Sequence, residues 1–189
     1  MKSNVILIGY MGCGKSTVGS KLADELDYTF LDTDAWIEEK EGIAIKEIFA
    51  SKGEEYFRNL ETICIKELIR EKNSTEFSIE DSEYERKYKE EGVIISVGGG
   101  LPVREENQKL LKELGTVIYL KANSDTIYER VKSDTTRPLL QTENPQQKIK
   151  DMLAYREGKY QAAAHVIVNV DEKSILEIIE EIKVVLGNN

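Results

Sequence analysis

Residues 9–17, which read Gly9-Tyr10-Met11-Gly12-Cys13-Gly14-Lys15-Ser16-Thr17, decide the fold of this chain. They fit the pattern G-x-x-x-x-G-K-[ST], which is typical of loops that bind nucleotide phosphates. The apolar run from Asn4 to Ile8 predicts a buried strand before the loop, and apolar residues at helical spacing from Val18 to Leu26 predict a helix after it. A chance glycine-rich turn is the alternative, but the order of strand, loop and helix favours a phosphate site.

The residue types in this phosphate loop explain how it would bind a nucleoside triphosphate. Glycines let the backbone wrap closely around an anion, and the amides at the start of the following helix point toward it. The ammonium of Lys15 can reach the β and γ phosphates, and the hydroxyl of Ser16 can bind Mg²⁺, the expected cofactor. The residues expected to hold the nucleotide are Gly12, Cys13, Gly14, Lys15, Ser16 and Thr17.

The composition predicts one globular domain that acts on a small molecule. The chain has 189 residues, of which 40% are hydrophobic and 32% are charged. Its formal net charge of -9 disfavours nucleic-acid binding, because neutralising phosphates requires clustered Lys and Arg. No apolar run has the length of a membrane span, and Met1-Lys2-Ser3 leads directly into the first strand without room for a signal peptide. We therefore expect a cytoplasmic monomer that binds neither nucleic acid nor membrane.

The cysteines and the single histidine indicate neither a zinc site nor a histidine-based catalytic triad. Cys13 and Cys64 have no CxxC partner, and Cys64 lies on an apolar helical face, which predicts a position in the core. Cys13 is interpreted as a small residue that fits the phosphate loop, although a thiol there could be modified by oxidants. His165 begins an apolar strand, so we expect it to be structural.

Two carboxylates follow the second predicted strand, Tyr28 to Leu31. Ligands of open α/β sheets bind at the carboxyl ends of the strands, where Asp32 and Asp34 would lie. Because one residue separates them, the two side chains can diverge, one toward a metal ion and phosphates and the other toward an acceptor hydroxyl group. A turn at the strand end that caps the next helix is the alternative. The neighbouring phosphate loop favours the functional interpretation.

A helical arginine and a run of glycines mark the middle of the chain. Arg58 offers a planar fork to a substrate carboxylate, although an isolated helical arginine usually lies on a solvated face. Residues 73–92 are rich in charge and predict an exposed insertion. The apolar strand from Val93 to Val97 ends in Gly98-Gly99-Gly100, the glycine run, which predicts a close approach to a ligand or a tight turn.

The rest of the chain continues the alternation of strands and helices that is typical of an α/β fold. A polar segment over about residues 132–145 contains Arg137, and an arginine on a flexible arm can close over ATP as a lid. A plain surface loop is the alternative. The other predicted helices are Ala35–Glu41, Ile45–Lys72 with a break at Gly53, Arg104–Leu114, Ser124–Val131, Gln146–Ala163 and Ile175–Leu186, and the other predicted strands are Thr116–Leu120 and His165–Val170.

Together these landmarks resemble the shikimate kinases, a family of the P-loop nucleoside-monophosphate-kinase-like group, over nearly the whole chain. The phosphate loop is common to many families, whereas the remaining landmarks jointly select this one. They are Asp32-Thr33-Asp34, Phe57-Arg58 to Glu61, Gly98-Gly99-Gly100, Arg137-Pro138-Leu139-Leu140 and Arg156 to Tyr160.

The resemblance implies a three-layer P-loop kinase fold over residues 1–189, in which helices flank a five-stranded parallel sheet and a mobile lid covers the site. It also implies the reaction, which is transfer of the ATP γ-phosphoryl group to the 3-hydroxyl group of shikimate. The products would be ADP and shikimate 3-phosphate, on the route to chorismate and the aromatic amino acids.

The resemblance further implies roles for individual residues. Lys15 and Arg137 would stabilise the transferring phosphoryl group, and Asp34 would bind the shikimate hydroxyl groups and accept a proton. Ser16 and Asp32 would organise Mg²⁺. The other implied contacts are those of Arg58 and Arg156 with the shikimate carboxylate, of Gly98, Gly99 and Gly100 with shikimate through their backbone, and of Arg130 with adenine and the nucleotide.

Two other functions compete with this one. Another small-metabolite P-loop kinase, such as a gluconate kinase, would share the phosphate loop but not the combination of Phe57-Arg58, the glycine run and the late arginines. A regulatory module that binds a nucleotide and transfers nothing would not need Lys15, Asp34 and Arg137 together.

Overall fold

A computed structural model describes residues 3–73, 92–133 and 142–187 of the chain. The strands in this part of the chain are β1 Val5–Ile8, β2 Thr29–Asp32, β3 Val93–Ser96, β4 Thr116–Lys121 and β5 Val166–Asn169. They form one sheet of five strands in the order β2-β3-β1-β4-β5, and every neighbouring pair is parallel. The predicted α/β fold with a parallel sheet is confirmed.

Burial along the strands explains their apolar sequences. All residues of β1 and β3 are buried, as expected for central strands of a parallel sheet that is covered on both faces. The edge strand β5 has only Val168 buried, and its Ile167 is exposed. His165, just before β5, accepts a hydrogen bond at Nδ1 from the backbone amide of Val117, 3.0 Å away, which agrees with the structural role expected of it.

The helices largely follow the predicted bounds. They are α1 Lys15–Leu26, α2 Thr33–Glu41, α3 Ile45–Asn73, α4 Glu105–Leu114, α5 Ser124–Val131, α6 Pro145–Ala163 and α7 Ile175–Gly187, and a short 3-10 helix spans Leu101–Val103. The predicted break in α3 lies at Gly53, where φ is 83° and the backbone is not helical. Cys64 on α3 and Cys13 in the phosphate loop are both buried.

Helix α2 begins at Thr33, two residues before the predicted start at Ala35. The reason is that Asp32, the last residue of β2, caps the helix, because its Oδ1 accepts a hydrogen bond of 3.0 Å from the amide of Asp34. Asp34 therefore lies in the first turn of α2 and not on an extended strand end.

The order of the strands brings distant segments to one edge of the sheet. In the sheet, Asp32 of β2 pairs with Ser96 of β3, and Ser96 pairs with Leu7 of β1. The loops that leave these three strands therefore start side by side at the carboxyl edge. Helices α3, α4 and α6 all pack against the short 3-10 helix that follows the glycine run.

Several predictions fall outside the described residues. They are the lid predicted over about residues 132–145, of which 134–141 lie outside, the charged insertion over about 73–92, of which 74–91 lie outside, and the role of Arg137. Within the described ranges, no helix is both long and apolar enough to cross a membrane.

Candidate active site

A cavity of about 630 Å³ opens at the carboxyl edge of the sheet. Residues from the phosphate loop, from the ends of β2 and β3 and from α5 and α7 form its walls. The residues that line it are Met11, Gly12, Cys13, Gly14, Lys15, Ser16, Thr17, Val18, Asp32, Asp34, Ser96, Val97, Gly98, Gly99, Arg130, Val131, Lys173, Ile175 and Ile178. The fold thus brings together the predicted nucleotide site with Asp32, Asp34 and part of the glycine run.

The phosphate loop has the backbone that its glycines predict. The φ angles of Gly9, Gly12 and Gly14 are 146°, 75° and 103°, a region that side chains rarely adopt. A Cβ atom at Gly12 would also lie 2.6 Å from Cγ1 of Val131. No side chain caps the start of α1, so its first amides are available to an anion.

The Lys15 side chain folds back onto the phosphate loop. Its Nζ donates hydrogen bonds to the carbonyl oxygens of Gly9 at 3.1 Å and of Tyr10 at 3.2 Å. These contacts hold a positive charge at the cavity wall, beside the start of α1. A phosphate group bound there would meet both the ammonium and the helix amides.

Ser16 and Asp32 form the candidate magnesium site. The Ser16 hydroxyl donates to Oδ2 of Asp32 at 2.9 Å and lies 3.4 Å from Oγ of Ser96. Mg²⁺ in such enzymes is held by one or two protein oxygens, with phosphates and water completing its shell. The described residues contain no group of three His, Cys, Asp or Glu side chains that could hold an ion by themselves. The donor set fits Mg²⁺ that arrives with a nucleotide.

Asp34 is a half-buried carboxylate that is influenced by two nearby cations. Burial, followed by the negative charge of Asp32, raises the pKa of Asp34 to about 6, while the charges of Lys15 and Arg58 oppose the shift. Its Oδ1 is buried and has no hydrogen-bond partner among the described residues. Buried polar atoms normally have a hydrogen-bond partner. The unpartnered Oδ1 of Asp34 therefore indicates that a hydroxyl group of a ligand donates to it.

Arg58 does not lie on a solvated face, since its side chain is only 18% exposed. Nη1 donates to Oε2 of Glu61 at 2.8 Å, and Nε and Nη2 donate to Oε1 of Glu54 at 3.2 and 3.0 Å. A Cβ atom at Gly100 would lie 2.1 Å from Nη1, so the guanidinium packs directly on the glycine run. Arg58, Gly100 and Arg156 adjoin the cavity without lining it.

Glu61 belongs to the site, but the sequence did not predict it as a site residue. It was named there only as the last residue of the stretch from Phe57-Arg58 to Glu61. Its side chain is 1% exposed, and burial raises its pKa to about 7, against the attraction of Arg58. Oε1 of Glu61 is buried without a hydrogen-bond partner among the described residues. Glu61 lies three residues after Arg58, which places both side chains on one face of the helix. This spacing could have predicted that the two residues interact.

Gly98 is needed for space and not for a turn. Its φ lies outside the left-handed region, unlike those of the loop glycines. A Cβ atom there would lie 2.7 Å from Oδ1 of Asp34 and 2.8 Å from Oε1 of Glu61, so two carboxylates close in on this residue. The Gly98 amide donates to Oγ1 of the buried Thr33 at 3.1 Å, which ties the glycine run to the start of α2.

Arg156 and Tyr160 reach the glycine run from α6. The carbonyl oxygen of Gly99 accepts hydrogen bonds from Nη1 of Arg156 at 3.2 Å and from the Tyr160 hydroxyl at 2.6 Å. The Arg156 guanidinium also lies 5.7 Å from the centre of the Tyr10 ring. Nε of Arg156 is buried with no hydrogen-bond partner in the described ranges, so the side chain retains a donor for a ligand.

Arg130 braces the phosphate loop from α5. Its Nη1 donates to the carbonyl oxygens of Cys13 at 3.2 Å and of Gly12 at 3.4 Å, and its Nη2 donates to that of Val170 at 3.4 Å. It lines the cavity together with Lys173 and Ile175. Arg130 therefore lies beside the phosphate loop, and the contact with adenine that the resemblance implies for it stays a prediction.

The chain is similar to known proteins in sequence and in fold. The family model described as shikimate kinase matches residues 11–76 and 67–186 of the chain. A shikimate kinase from a Sulfurihydrogenibium species is 40% identical over 179 residues, which cover 95% of this chain and 95% of that protein. The structure of a shikimate kinase from Acinetobacter baumannii in complex with shikimate matches with a TM-score of 0.83 and 34% identity, over 99% of this chain and 94% of that chain. A gluconokinase from Sinorhizobium meliloti 1021 shares the fold alone, with a TM-score of 0.57 and 19% identity over 98% of this chain and 92% of that chain.

Proposed function

The chain belongs to the shikimate kinase family and is an ATP-dependent transferase of that family, and from this premise we propose how its own residues perform the reaction. The γ-phosphoryl group of ATP moves to the 3-hydroxyl group of shikimate, and ADP and shikimate 3-phosphate leave. The observation that carries the proposal is the position of Asp34, a half-buried carboxylate that lines the same cavity as the phosphate loop and whose buried Oδ1 has no hydrogen-bond partner among the described residues.

The phosphate loop binds the nucleotide in this proposal. The first amides of α1 and the Lys15 ammonium contact the β and γ phosphates, so that negative charge is stabilised where it develops during transfer. Ser16 and Asp32 would hold Mg²⁺, which would neutralise phosphate charge when bound. Arg130 holds the loop carbonyls of Gly12 and Cys13 through two hydrogen bonds and contacts the nucleotide from the same cavity wall in this proposal.

The acceptor binds on the other side of Asp34. Arg58 and Arg156 bind the shikimate carboxylate, which agrees with the unpartnered Nε of Arg156 among the described residues and with the packing of Arg58 on Gly100. The backbone of the glycine run forms the surface beneath the ring. In the A. baumannii shikimate kinase, the bound ligand is shikimate, and this likeness supports the same acceptor here.

Phosphoryl transfer asks the protein mainly for alignment and charge stabilisation. The Asp34 carboxylate accepts a hydrogen bond from the 3-hydroxyl group, orients its oxygen toward the γ-phosphorus and takes its proton as the new bond forms. Arg137, outside the described residues, adds positive charge at the transferring group in this proposal. Its assignment rests on the family resemblance.

The competing functions receive less support. The gluconokinase likeness concerns the fold alone, whereas the shikimate kinase from Sulfurihydrogenibium is 40% identical over 95% of this chain. A regulatory module that binds a nucleotide and transfers nothing would not need a complete reactive set in one cavity. The residues of that set are Lys15, Ser16, Asp32 and Asp34. We propose further that the chain is a single domain, a monomer and cytoplasmic, as its sequence predicts.

ADP release from MgATP tests the reaction, with shikimate, gluconate and nucleoside monophosphates offered as acceptors in separate assays. Stimulation by shikimate alone is expected. Release that no acceptor stimulates, in a protein that binds ATP, would favour the regulatory module.

Arg58→Ala tests the acceptor side. We expect the KM for shikimate to rise by about tenfold or more, because a hydrogen bond to a charged group contributes about 1.5–3 kcal/mol. Arg58→Lys should give an intermediate KM, since it keeps the charge and loses the planar fork. Arg70→Ala is the matched control, because Arg70 is exposed on the same helix α3. An unchanged KM for shikimate in Arg58→Ala would refute the carboxylate assignment.

A further inference from the structure

Several polar side chains are buried in the fold, and most of them lie near the glycine run. Those in the described part of the chain are Asn4, Thr33, Glu61, Thr62, Ser96 and Asn107. Thr33 binds the Gly98 amide and Glu61 binds Arg58, so both belong to the acceptor side of the site. Burying a polar group costs free energy unless its hydrogen bonds are made, which makes each such group informative. The proposed mechanism gives no role to Thr62 or Asn107.

Thr62 and Asn107 form one hydrogen-bonded chain between α3 and the segment after the glycine run. Oγ1 of Thr62 on α3 lies 2.9 Å from Oδ1 of Asn107 on α4, and Nδ2 of Asn107 donates to the carbonyl oxygen of Leu101 at 3.0 Å. Asn107 is fully buried. Leu101 directly follows Gly100, and its amide donates to the carbonyl oxygen of Gly98 at 3.0 Å.

The Leu101 carbonyl decides which atoms donate and which accept in these hydrogen bonds. The Leu101 carbonyl can only accept, so the Asn107 amide nitrogen must face it and the Asn107 oxygen must face Thr62. The single hydroxyl hydrogen of Thr62 is then used by Asn107. The second contact of that hydroxyl, 3.2 Å from the carbonyl oxygen of Arg58, is the weaker one. The Asn107 amide therefore has one orientation, and the shorter contact of the Thr62 hydroxyl is the one with Asn107.

We propose that Thr62 and Asn107 are positioning residues that set the distance between Arg58 and the glycine run. Thr62 lies one helical turn after Arg58 and directly after Glu61, so a shift at Thr62 moves both of those side chains. Asn107 connects this turn of α3 to Leu101. The proposal rests on the carboxylate-binding role given to Arg58 above.

The close packing of Arg58 explains why a small shift would matter. Its guanidinium packs against the backbone of Gly100, and the Glu61 carboxylate packs against Gly98. Helix α3 and the glycine run are therefore in direct contact, without space for a Cβ atom at either glycine. Misplacing a binding group by about 1 Å can cost about 100-fold in rate even when the change lies far from the chemistry. The hydrogen bonds of Thr62 and Asn107 go to the Arg58 carbonyl, to each other and to Leu101, and not to the phosphate loop, so nucleotide binding should respond much less.

The test compares Thr62→Val and Asn107→Leu with the unaltered protein in steady-state kinetics. We expect each variant to raise the KM for shikimate by about tenfold, because the fold-change follows from losing alignment of Arg58. The KM for ATP should stay within about twofold. Thr62→Ser keeps the hydroxyl and should restore the KM for shikimate. Thr62→Val keeps the shape of the side chain, so it decides the matter alone if Asn107→Leu does not fold.

Asn4→Leu is the matched control for lost stability. Asn4 is also buried, and its Oδ1 accepts a hydrogen bond from the Val93 amide at the opposite end of the sheet. This variant should lower Tm and leave the KM for shikimate unchanged. An equal rise of that KM in Asn4→Leu, or a lowered Tm with an unchanged KM in Thr62→Val and Asn107→Leu, would overturn the proposal.

Arg58→Ala, measured in the same series, separates the two proposals. If Arg58→Ala raises the KM for shikimate and Thr62→Val does not, only the positioning role fails. If Arg58→Ala has no effect, the carboxylate assignment fails first.

Discussion

The two halves of the candidate site are built by different physical means. The phosphate half consists of residues 9–17 and Asp32. It is one continuous stretch of the chain to which only the Asp32 side chain is added. Its shape comes from backbone conformation, since Gly9, Gly12 and Gly14 all have positive φ. The acceptor half consists of Asp34, Arg58, Glu61, Gly98–Gly100 and Arg156, which come from four separate segments, and its shape comes from packing around buried charges.

Because the two halves are built differently, we expect them to control different kinetic constants. A phosphate loop stabilises charge that develops during transfer, so damage to it should lower kcat. The acceptor half aligns and binds shikimate, so damage to it should raise the KM for shikimate first. The three variants that follow break or sharpen this contrast.

Lys15→Met in the phosphate half should have the largest effect. We expect kcat to fall by at least about 100-fold, the usual cost of removing one preorganised donor to the transition state. The methionine keeps the length of the side chain and removes the charge that Nζ places beside Gly9 and Tyr10. Steady-state kinetics at saturating shikimate and ATP measure it.

Lys21→Met provides the control for Lys15→Met, because Lys21 is an exposed residue of the same helix. Its kcat should equal that of the unaltered protein. A Lys15→Met protein that keeps its kcat and raises only the KM for shikimate would reverse the assignment of the two halves.

Gly100→Ala in the acceptor half should have a smaller and different effect. The backbone of Gly100 has φ −92° and ψ −20°, which alanine adopts without strain. The new methyl group would lie 2.1 Å from Nη1 and 2.5 Å from Cζ of Arg58, so the flexible guanidinium must move. We expect the KM for shikimate to rise by about tenfold, equivalent to about 1.4 kcal/mol, and Tm to fall, because the displaced guanidinium loses its hydrogen bond to the buried Glu61 carboxylate.

Gly158→Ala supplies the comparison for Gly100→Ala, because a Cβ atom at Gly158 on α6 meets nothing within 4 Å. Alanine at this helical position should stabilise the protein by about 0.5–1 kcal/mol without changing the KM for shikimate. If Gly100→Ala leaves that KM unchanged as well, Arg58 does not bind shikimate from its observed position.

The sequence predicted the phosphate half more fully than the acceptor half, because the former is local. Strand, loop and helix lie within one continuous stretch, and the structure confirms their order. The start of α2 was placed two residues late, since the cap formed by Asp32 depends on a hydrogen bond and not on apolar spacing. The sequence offered a metal-binding Asp32 and a capping Asp32 as alternatives, but Oδ1 caps α2 while Oδ2 contacts Ser16.

The acceptor half depends on contacts that spacing along the chain does not reveal. Thr33 meets Gly98, and Tyr160 meets Gly99, across 65 and 61 positions. The need for glycine at position 98 comes from the Asp34 and Glu61 carboxylates, and the sequence offered only a ligand or a turn as reasons. Burial, which turns Glu61 from an ordinary helical acid into a site residue, is set by packing of the whole fold.

Glu61→Gln should affect a different property, the stability of the protein without ligands. Because burial raises the pKa of Glu61 to about 7 from a usual value of 4.5, the folded state holds a proton that the unfolded state releases between these pH values. Stability is therefore greatest below about pH 4.5 for this group, falls as pH rises and is fully lost above about pH 7. The total is on the order of 1–3 kcal/mol.

Denaturant unfolding from pH 5 to pH 8 measures this effect, through the slope of the unfolding free energy against pH. Glu61→Gln should make that slope less negative below pH 7, because glutamine keeps an acceptor for Arg58 and cannot titrate. Asp34, whose pKa is raised to about 6, contributes in the same direction and remains in the variant, so part of the slope should persist. Glu39→Gln, an exposed change on α2, should leave the slope as it is. Identical slopes for Glu61→Gln and the unaltered protein would mean that the carboxylate of the acceptor half stays ionised beside Arg58 throughout this range, and that half would then differ from the phosphate half in its packing but not in its charge.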